Sequence, residues 1–366
     1  MEFGAQRRSL VEPSVQPAGS RFARLTPRGL RLAPLVASSP PGDPDPTSPT
    51  APTAPSDPTA LSAWRDAARY LTYRGLAAAM GRMPLPLAQG IAATVARTMA
   101  LRASSTRTMG ERHMRRILAS ECPDGIEPDP ALVRRWVRRS FGSYGRYWAD
   151  GARLPYVGAA GVRARFRLEA GEDDLRAAMA QGKGIVMALP HVGSWEWGGY
   201  WLALEGMPMT AVVERLEPEQ LFEWFVGQRA QMGLTAVPMG DGATAAMLGA
   251  LKAGVLAGLV SDRDLVGNGV EVVFFGEKTT LPGGAATLAL RTGAPLVPVC
   301  VYSGPGDWHT AMVHPPMDTA RRGTLREDVA RITQDLATIF EHDIRCRPEQ
   351  WHLYQPNWPS DRALTD

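Results

Sequence analysis

The feature that most constrains the fold is a change of hydrophobic pattern near residue 160. Beyond it, short apolar segments alternate with stretches of helical character. The apolar segments are 162–169, 184–190, 209–215, 234–240, 255–262, 270–276 and 295–303. Strands that alternate with helices are typical of a parallel sheet whose connections cross its faces. We therefore predict an α/β fold, with a central, mostly parallel sheet flanked by helices on both faces.

The region before this change predicts helices rich in arginine and aromatic residues. Two such segments cover 62–102 and are broken at Pro84 and Pro86, and a third covers 131–154. They are either core helices with solvated arginine faces or helices that lie in a lipid headgroup region. The most apolar window, 245–260, contains Lys252 and is too short to span a membrane. We predict an N-terminal helical segment that contacts the membrane without crossing it.

Composition indicates where the folded domain lies and which compartment and partners suit the chain. Residues 1–60 are rich in proline and predict a disordered extension, so the folded domain is expected at 61–360. The three cysteines have neither disulfide nor zinc spacing and favour a reducing, cytosolic side. A formal charge of +3 suits an anionic membrane surface but is too small to indicate a nucleic-acid partner.

The stretch LPHVGSWEWGGYW, residues 189–201, contains the candidate for catalysis. His191 follows a predicted strand, and ligands of open α/β sheets lie beyond the carboxyl ends of strands. Ser194 could cap the next helix, and Glu196 falls in its first turn. Each residue alone fits an ordinary structural role. Together with a second acidic cluster, SDRD at 261–264, which ends another strand, they are consistent with a general base and an orienting acid.

The sequence gives weaker support to other functional classes. The chain has no G-x-S-x-G elbow, no H-E-x-x-H and no histidine spacing suited to a metal, so a hydrolase or metal enzyme is not expected. GDGATA at 240–245 matches a dinucleotide fingerprint, with Asp262 as its ribose-binding acid. A dinucleotide-dependent enzyme and a catalytically inactive lipid-binding protein stay open as alternatives.

HVGSWE resembles the H-x4-(D/E) motif of the bacterial lipid acyltransferase family, which includes the late acyltransferases of lipid A. The resemblance extends over about residues 61–358, through AVVERLEPEQLFEWFVGQR, LVSDRDLVGNGVEVVFFGEKTTLPGGAATLALRTGAPLVPV and PEQWHLYQPNW. These segments are similar to the actinobacterial branch that acylates phosphatidylinositol mannosides. The proline-rich start lies outside the resemblance.

The resemblance implies transfer of a fatty acyl group from acyl-CoA to the 6-hydroxyl of a mannose, at the cytoplasmic face of the cell membrane. Acyl-CoA is then a donor substrate, and no cofactor is implied. His191, Asp262 and Glu196 match the catalytic positions, although this branch often has glutamate where Asp262 stands. Glu214 and Arg229 match positions that shape the substrate pocket, and Arg229 could equally lie on a solvated helix face. Other glycolipids or lysophospholipids are alternative acceptors.

Five aromatic residues could line a slot for the acyl chain, or could simply be core. They are Trp195, Trp197, Tyr200, Trp201 and Trp224. Aromatic residues at helical spacing are more often core.

Overall fold

The computed structural model describes residues 58–122 and 126–362. The predicted proline-rich extension, residues 1–60, lies outside this part of the chain except for its last three residues, which begin a helix. Four helices precede the first strand: α1 (Pro58–Arg82), α2 (Leu85–Arg102), α3 (Ser104–Ala119) and α4 (Pro130–Arg165). The predicted break is present, because Pro84 is the residue before α2 and Pro86 lies in its first turn, where no backbone donor is lost.

Helix α4 is longer than the sequence predicted. Asp129 caps it by accepting a hydrogen bond from the backbone N–H of Ala131 at 2.9 Å. The helix continues beyond the expected end at Leu154 to Arg165, with a kink that contains Pro155 and Gly158. The prediction that a strand begins at residue 162 is therefore wrong by four residues.

The main sheet has seven strands in the order β1-β9-β8-β2-β5-β3-β4. Its strands are β1 (Phe166–Ala170), β2 (Ile185–Leu189), β3 (Met209–Val213), β4 (Leu234–Pro238), β5 (Leu256–Val260), β8 (Leu296–Ser303) and β9 (His309–Val313). Five of them run in one direction, whereas β9 is antiparallel to β8 and β1 is parallel to β9. The mostly parallel sheet is confirmed, with two strands of opposite direction at one side.

A separate two-stranded hairpin follows β5. It consists of β6 (Val270–Phe274) and β7 (Glu277–Leu281), which pair antiparallel. The predicted strand 270–276 therefore exists but lies outside the main sheet. The sequence prediction missed β7 and β9.

Helices cover both faces of the sheet, as β2 demonstrates. Val186 and Ala188 pack in one apolar cluster, with residues of α8 (Ala243–Lys252), α9 (Gly284–Thr292) and α10 (Leu325–Cys346). Met187 and Leu189 pack in the other, with residues of α4, α5 (Glu172–Ala180) and α6 (Trp195–Leu204). A strand that is buried on both faces reads as a continuous apolar run, which is why β2 was recognisable.

The remaining elements are α7 (Glu219–Gln231), a short 3-10 turn (Pro348–Gln350) and α11 (Pro359–Arg362). Helix α10 begins at a capping box made by Thr324 and Glu327 and confirms the predicted helix at about 325–345. Among the residues that the structure describes, no helix combines the length and apolarity needed to cross a bilayer.

Candidate active site

Two neighbouring strands bring His191 and Asp262 together. Leu189 pairs with Val260 at the carboxyl ends of β2 and β5, so the residues that follow emerge at the same edge of the sheet. The imidazole Nδ1 of His191 lies 2.6 Å from Oδ1 of Asp262, and the backbone N–H of His191 donates to Oδ2 at 2.8 Å. Asp262 is fully buried, whereas the His191 side chain is 37% exposed. This leaves Nε2 as the nitrogen free to meet a substrate.

The turn after His191 is tightly packed. Gly193 has φ of 59°, and a Cβ there would lie 1.9 Å from the carbonyl oxygen of Val301. Only glycine fits both requirements. Ser194 does not cap α6 as predicted, because its hydroxyl pairs with that of Ser303 at 3.2 Å. The backbone N–H groups of the first turn of α6 are therefore left without a side-chain cap.

Asp262 has two further partners that the sequence reasoning missed. Its Oδ2 accepts a hydrogen bond from the indole N–H of Trp351 at 2.8 Å, and its carbonyl accepts one from the side-chain amide of Asn357 at 3.1 Å. Both donors belong to PEQWHLYQPNW, which was noticed only as a resemblance. A tryptophan-rich segment 89 residues away in sequence offers no spacing signal toward Asp262.

The electrostatics favour a charged pair. Burial alone would lower the pKa of His191, but the charge and hydrogen bond of Asp262 outweigh it, so the pKa lies above its ordinary value. Burial alone would raise the pKa of Asp262, yet the interactions with His191 and Trp351 lower it. Burial and the neighbouring His191 lower the pKa of His352 to about 3, so this second histidine is neutral.

Glu196 lies in a different polar cluster. Its Oε1 accepts hydrogen bonds from Arg229 at 3.1 Å and from the hydroxyl of Tyr147 at 3.2 Å. Within the described residues, Oε2 of Glu196 and Nε of Arg229 are buried without a hydrogen-bond partner. The Arg229 guanidinium also lies 5.0 Å from the ring of Trp195. Arg229 is therefore not on a solvated helix face, and the acid hydrogen-bonded to His191 is Asp262, not Glu196.

An apolar cavity of about 60 Å³ adjoins the Glu196 cluster and is bordered by Glu196, Arg229, Trp224 and Tyr73, among other residues. Tyr73 also borders a cavity of about 790 Å³ between α1 and the start of α7. Among the five aromatic residues considered for an acyl slot, only Trp224 borders either cavity, and it borders the smaller one. Trp197 is a core residue that is 1% exposed.

Glu214 follows β3, the strand beside β5, and stands at the rim of the site. Its side chain is 62% exposed, and its carboxylate lies 4.0 Å from the guanidinium of Arg263, the residue after Asp262. The two substrate-binding predictions thus fall in different places, with Arg229 inside beside Glu196 and Glu214 outside near Asp262.

The glycine-rich stretch does not form the dinucleotide site considered above. Gly240 and Gly242 have positive φ and precede α8, but they follow β4, which is an edge strand. Asp262, the acid expected to hold a ribose, is fully buried and bonded to His191 and Trp351. No carboxylate oxygen of Asp262 is available for a sugar hydroxyl at that edge.

A buried acid that orients a half-exposed histidine at a sheet edge is the arrangement of a general base. The family model described as "Bacterial lipid A biosynthesis acyltransferase" matches residues 59–360, and the chain belongs to this family. The fold and the match together define an acyltransferase.

Curated relatives specify the branch that the chain is similar to. The phosphatidylinositol mannoside acyltransferase of Mycobacterium tuberculosis (strain ATCC 25618 / H37Rv) is 38% identical over 244 residues, which cover 65% of this chain and 73% of the relative. The protein of the same name from Mycolicibacterium smegmatis (strain ATCC 700084 / mc(2)155) is 37% identical over 286 residues, covering 76% and 88%. The resemblance inferred from the sequence is thereby confirmed.

Proposed function

We propose that the protein transfers a fatty acyl group, palmitoyl-like in length, from acyl-CoA to the mannose 6-hydroxyl of a phosphatidylinositol mannoside. The observation that carries the proposal is the His191–Asp262 pair, with Nε2 of His191 free at the carboxyl edge of the sheet. The relatives named for phosphatidylinositol mannosides support the acceptor class.

The proposed reaction is direct transfer without a covalent enzyme intermediate. Nε2 of His191 takes the proton of the sugar hydroxyl while its oxygen attacks the thioester carbonyl. Asp262 holds Nδ1–H and stabilises the imidazolium that forms. The tetrahedral intermediate then expels the thiolate of CoA, which receives the proton back from His191. The uncapped N–H groups of the first turn of α6 are suitable donors for the oxyanion.

The acyl chain needs an apolar space near this histidine. We assign it to the cavity bordered by Tyr73, Trp224 and Glu196, the last of which lies in the helix that follows His191, and to the larger cavity that Tyr73 also borders. A volume of about 790 Å³ falls within the range of ligand pockets in proteins. In this arrangement the Glu196–Arg229 pair borders the chain, and the exposed Glu214 is on the side where the polar substrate parts would bind.

We further propose that α1 and α2 place the enzyme on the cytoplasmic face of the membrane as a peripheral protein. Both helices expose large apolar side chains: Trp64, Leu71, Leu76, Leu87, Ile91, Val95, Met99 and Leu101. Leu101 is 70% exposed and adjoins Arg102 in the last turn of α2. An apolar helix surface with flanking arginines suits the boundary between headgroups and acyl chains.

The decisive experiment compares wild type with His191→Gln in a thiol-release assay with palmitoyl-CoA. We expect release to require a phosphatidylinositol mannoside and to fall at least about 10³-fold in the variant, since the general base is removed. Release that needs His191 but occurs with another glycolipid or a lysophospholipid would change the acceptor and keep the enzyme class. Release that survives His191→Gln would refute the mechanism.

A further inference from the structure

The segment that ends the described chain wraps around the site. After the 3-10 turn, the backbone N–H of His352 donates to the carbonyl of His191 at 2.9 Å, and the N–H of Gly193 donates to the carbonyl of Gln350 at 3.0 Å. The side-chain amide of Gln350 also bonds both backbone groups of Ser303 at 2.8 Å. Residues 350–352 thus fix the turn after β2 to the end of β8.

The same segment completes the environment of Asp262. Trp351 is 3% exposed, and its indole N–H is the third donor to the Asp262 carboxylate, after the side chain and backbone of His191. Asn357 binds the carbonyl of Asp262. A charged, fully buried carboxylate needs several donors to remain ionised and in one orientation. Without Trp351, Oδ2 would keep only a backbone partner.

A second buried acid anchors the segment from the other end. Asp361 is fully buried and accepts hydrogen bonds from Arg112 at 2.7 Å and from the backbone N–H of Trp358 at 3.2 Å. His113 lies 3.3 Å from the same carboxylate, and Arg116 lies 3.0 Å from it. Three residues of α3 therefore hold the segment in place through one carboxylate.

We propose that Trp351 is a positioning residue for catalysis, which acts by holding the Asp262 carboxylate in line with His191. The inference rests on the proposed function. The hydrogen bond that Trp351 donates fixes the orientation and charge distribution of Asp262, and Asp262 in turn fixes the tautomer of His191. Trp351 is buried and acts through Asp262, and the segment anchored by Asp361 holds it in place.

The chain offers a matched control for Trp351→Phe. Trp358 belongs to the same aromatic cluster, is fully buried, and also donates its indole N–H, at 3.1 Å to the carbonyl of Phe274. Replacement by phenylalanine removes one buried indole donor in each case. Only the donor of Trp351 reaches Asp262, so the two variants separate a catalytic effect from a general loss of packing.

We would measure kcat and its pH dependence in the full chain for both variants. Trp351→Phe is expected to lower kcat about 10–100-fold, since hydrogen bonds to charged groups are among the stronger ones. The acid limb of its pH profile should be displaced, because the field of Asp262 at the imidazole changes. Trp358→Phe should reduce thermal stability. Its kcat should stay within about threefold of the wild-type value, and the acid limb of its pH profile should not move.

The inference would be overturned if the two variants had equal kcat values and the same acid limb in their pH profiles. If Trp351→Phe does not fold, Asn357→Ala provides the second test, with a histidine side-chain NMR titration of His191 as the readout. An unchanged titration in Asn357→Ala would then count against the segment as a positioning element. These outcomes are separate from those of the proposed function, whose mechanism fails if His191→Gln remains active and whose acceptor fails if release occurs with another lipid.

Discussion

Asp262 and Glu196 are both buried acids of the polar set that the sequence singled out, but they have different surroundings. The Asp262 carboxylate has a donor on each oxygen and pairs with a histidine that reaches solvent. Glu196 pairs with Arg229, whose side chain is 14% exposed, leaves one oxygen without a partner in the described part of the chain and adjoins an apolar cavity. The first environment suits proton transfer, and the second suits shaping a pocket.

The largest expected effect tests this contrast directly. Asp262→Asn should reduce kcat about 10³–10⁴-fold, because an amide can stabilise the wrong tautomer of His191 and leave Nε2 protonated. Glu196→Gln should retain at least a tenth of the wild-type kcat, since Glu196 has no hydrogen bond to His191. The thiol-release assay measures both. Comparable losses in the two variants would remove the distinction between the acids.

The next largest expected effect is on the free energy of unfolding. Arg229→Met leaves Glu196 as a buried charge without its cation and should lower the free energy of unfolding by about 3–5 kcal/mol. Arg163→Met is the control, because the Arg163–Glu205 pair is half exposed and should contribute less than about 1 kcal/mol.

Denaturant unfolding of the two single variants and of Arg229→Met with Glu196→Gln measures the coupling between Arg229 and Glu196. The double variant should recover part of the loss, because neither charge is then buried alone. Additive losses would contradict a direct pairing of the two side chains.

The smallest expected effect is a shift in the pH dependence of kcat/KM. Burial lowers the pKa of His191, while Asp262 and, more weakly, Glu214 raise it above 6.5. A general base works only when neutral, so kcat/KM should fall as the pH drops through this pKa. Glu214→Gln removes a negative charge and should move the acid limb to slightly lower pH. A limb that moves upward would contradict the position of Glu214 beside this histidine.

Much of the environment of Asp262 could be predicted from the sequence, because it depends on local sequence patterns. A buried strand followed by His191, and another followed by Asp262, place both residues at one edge of a parallel sheet. Glu196 follows His191 by only five residues but does not hydrogen-bond to it, because the helix that begins at Trp195 carries it toward Tyr147 and Arg229.

The parts that escaped prediction depend on distant contacts. Trp351 and Asn357 reach Asp262 only through the fold, and no spacing in the chain reports that meeting. Strand β9 escaped prediction because it turns back antiparallel to β8, against the parallel pattern of the other connections. The end of α4 escaped because Pro155 normally marks a boundary, whereas here the helix continues across a kink.

The wrapped C-terminal segment also has a consequence for biosynthesis. Residues 350–361 supply contacts to the turn after His191 and to Asp262, and they are translated after every strand of the sheet. While these residues are still inside the ribosome, the nascent chain cannot complete the environment of Asp262. We therefore expect a protein truncated before residue 350 to lack acyl-transfer activity.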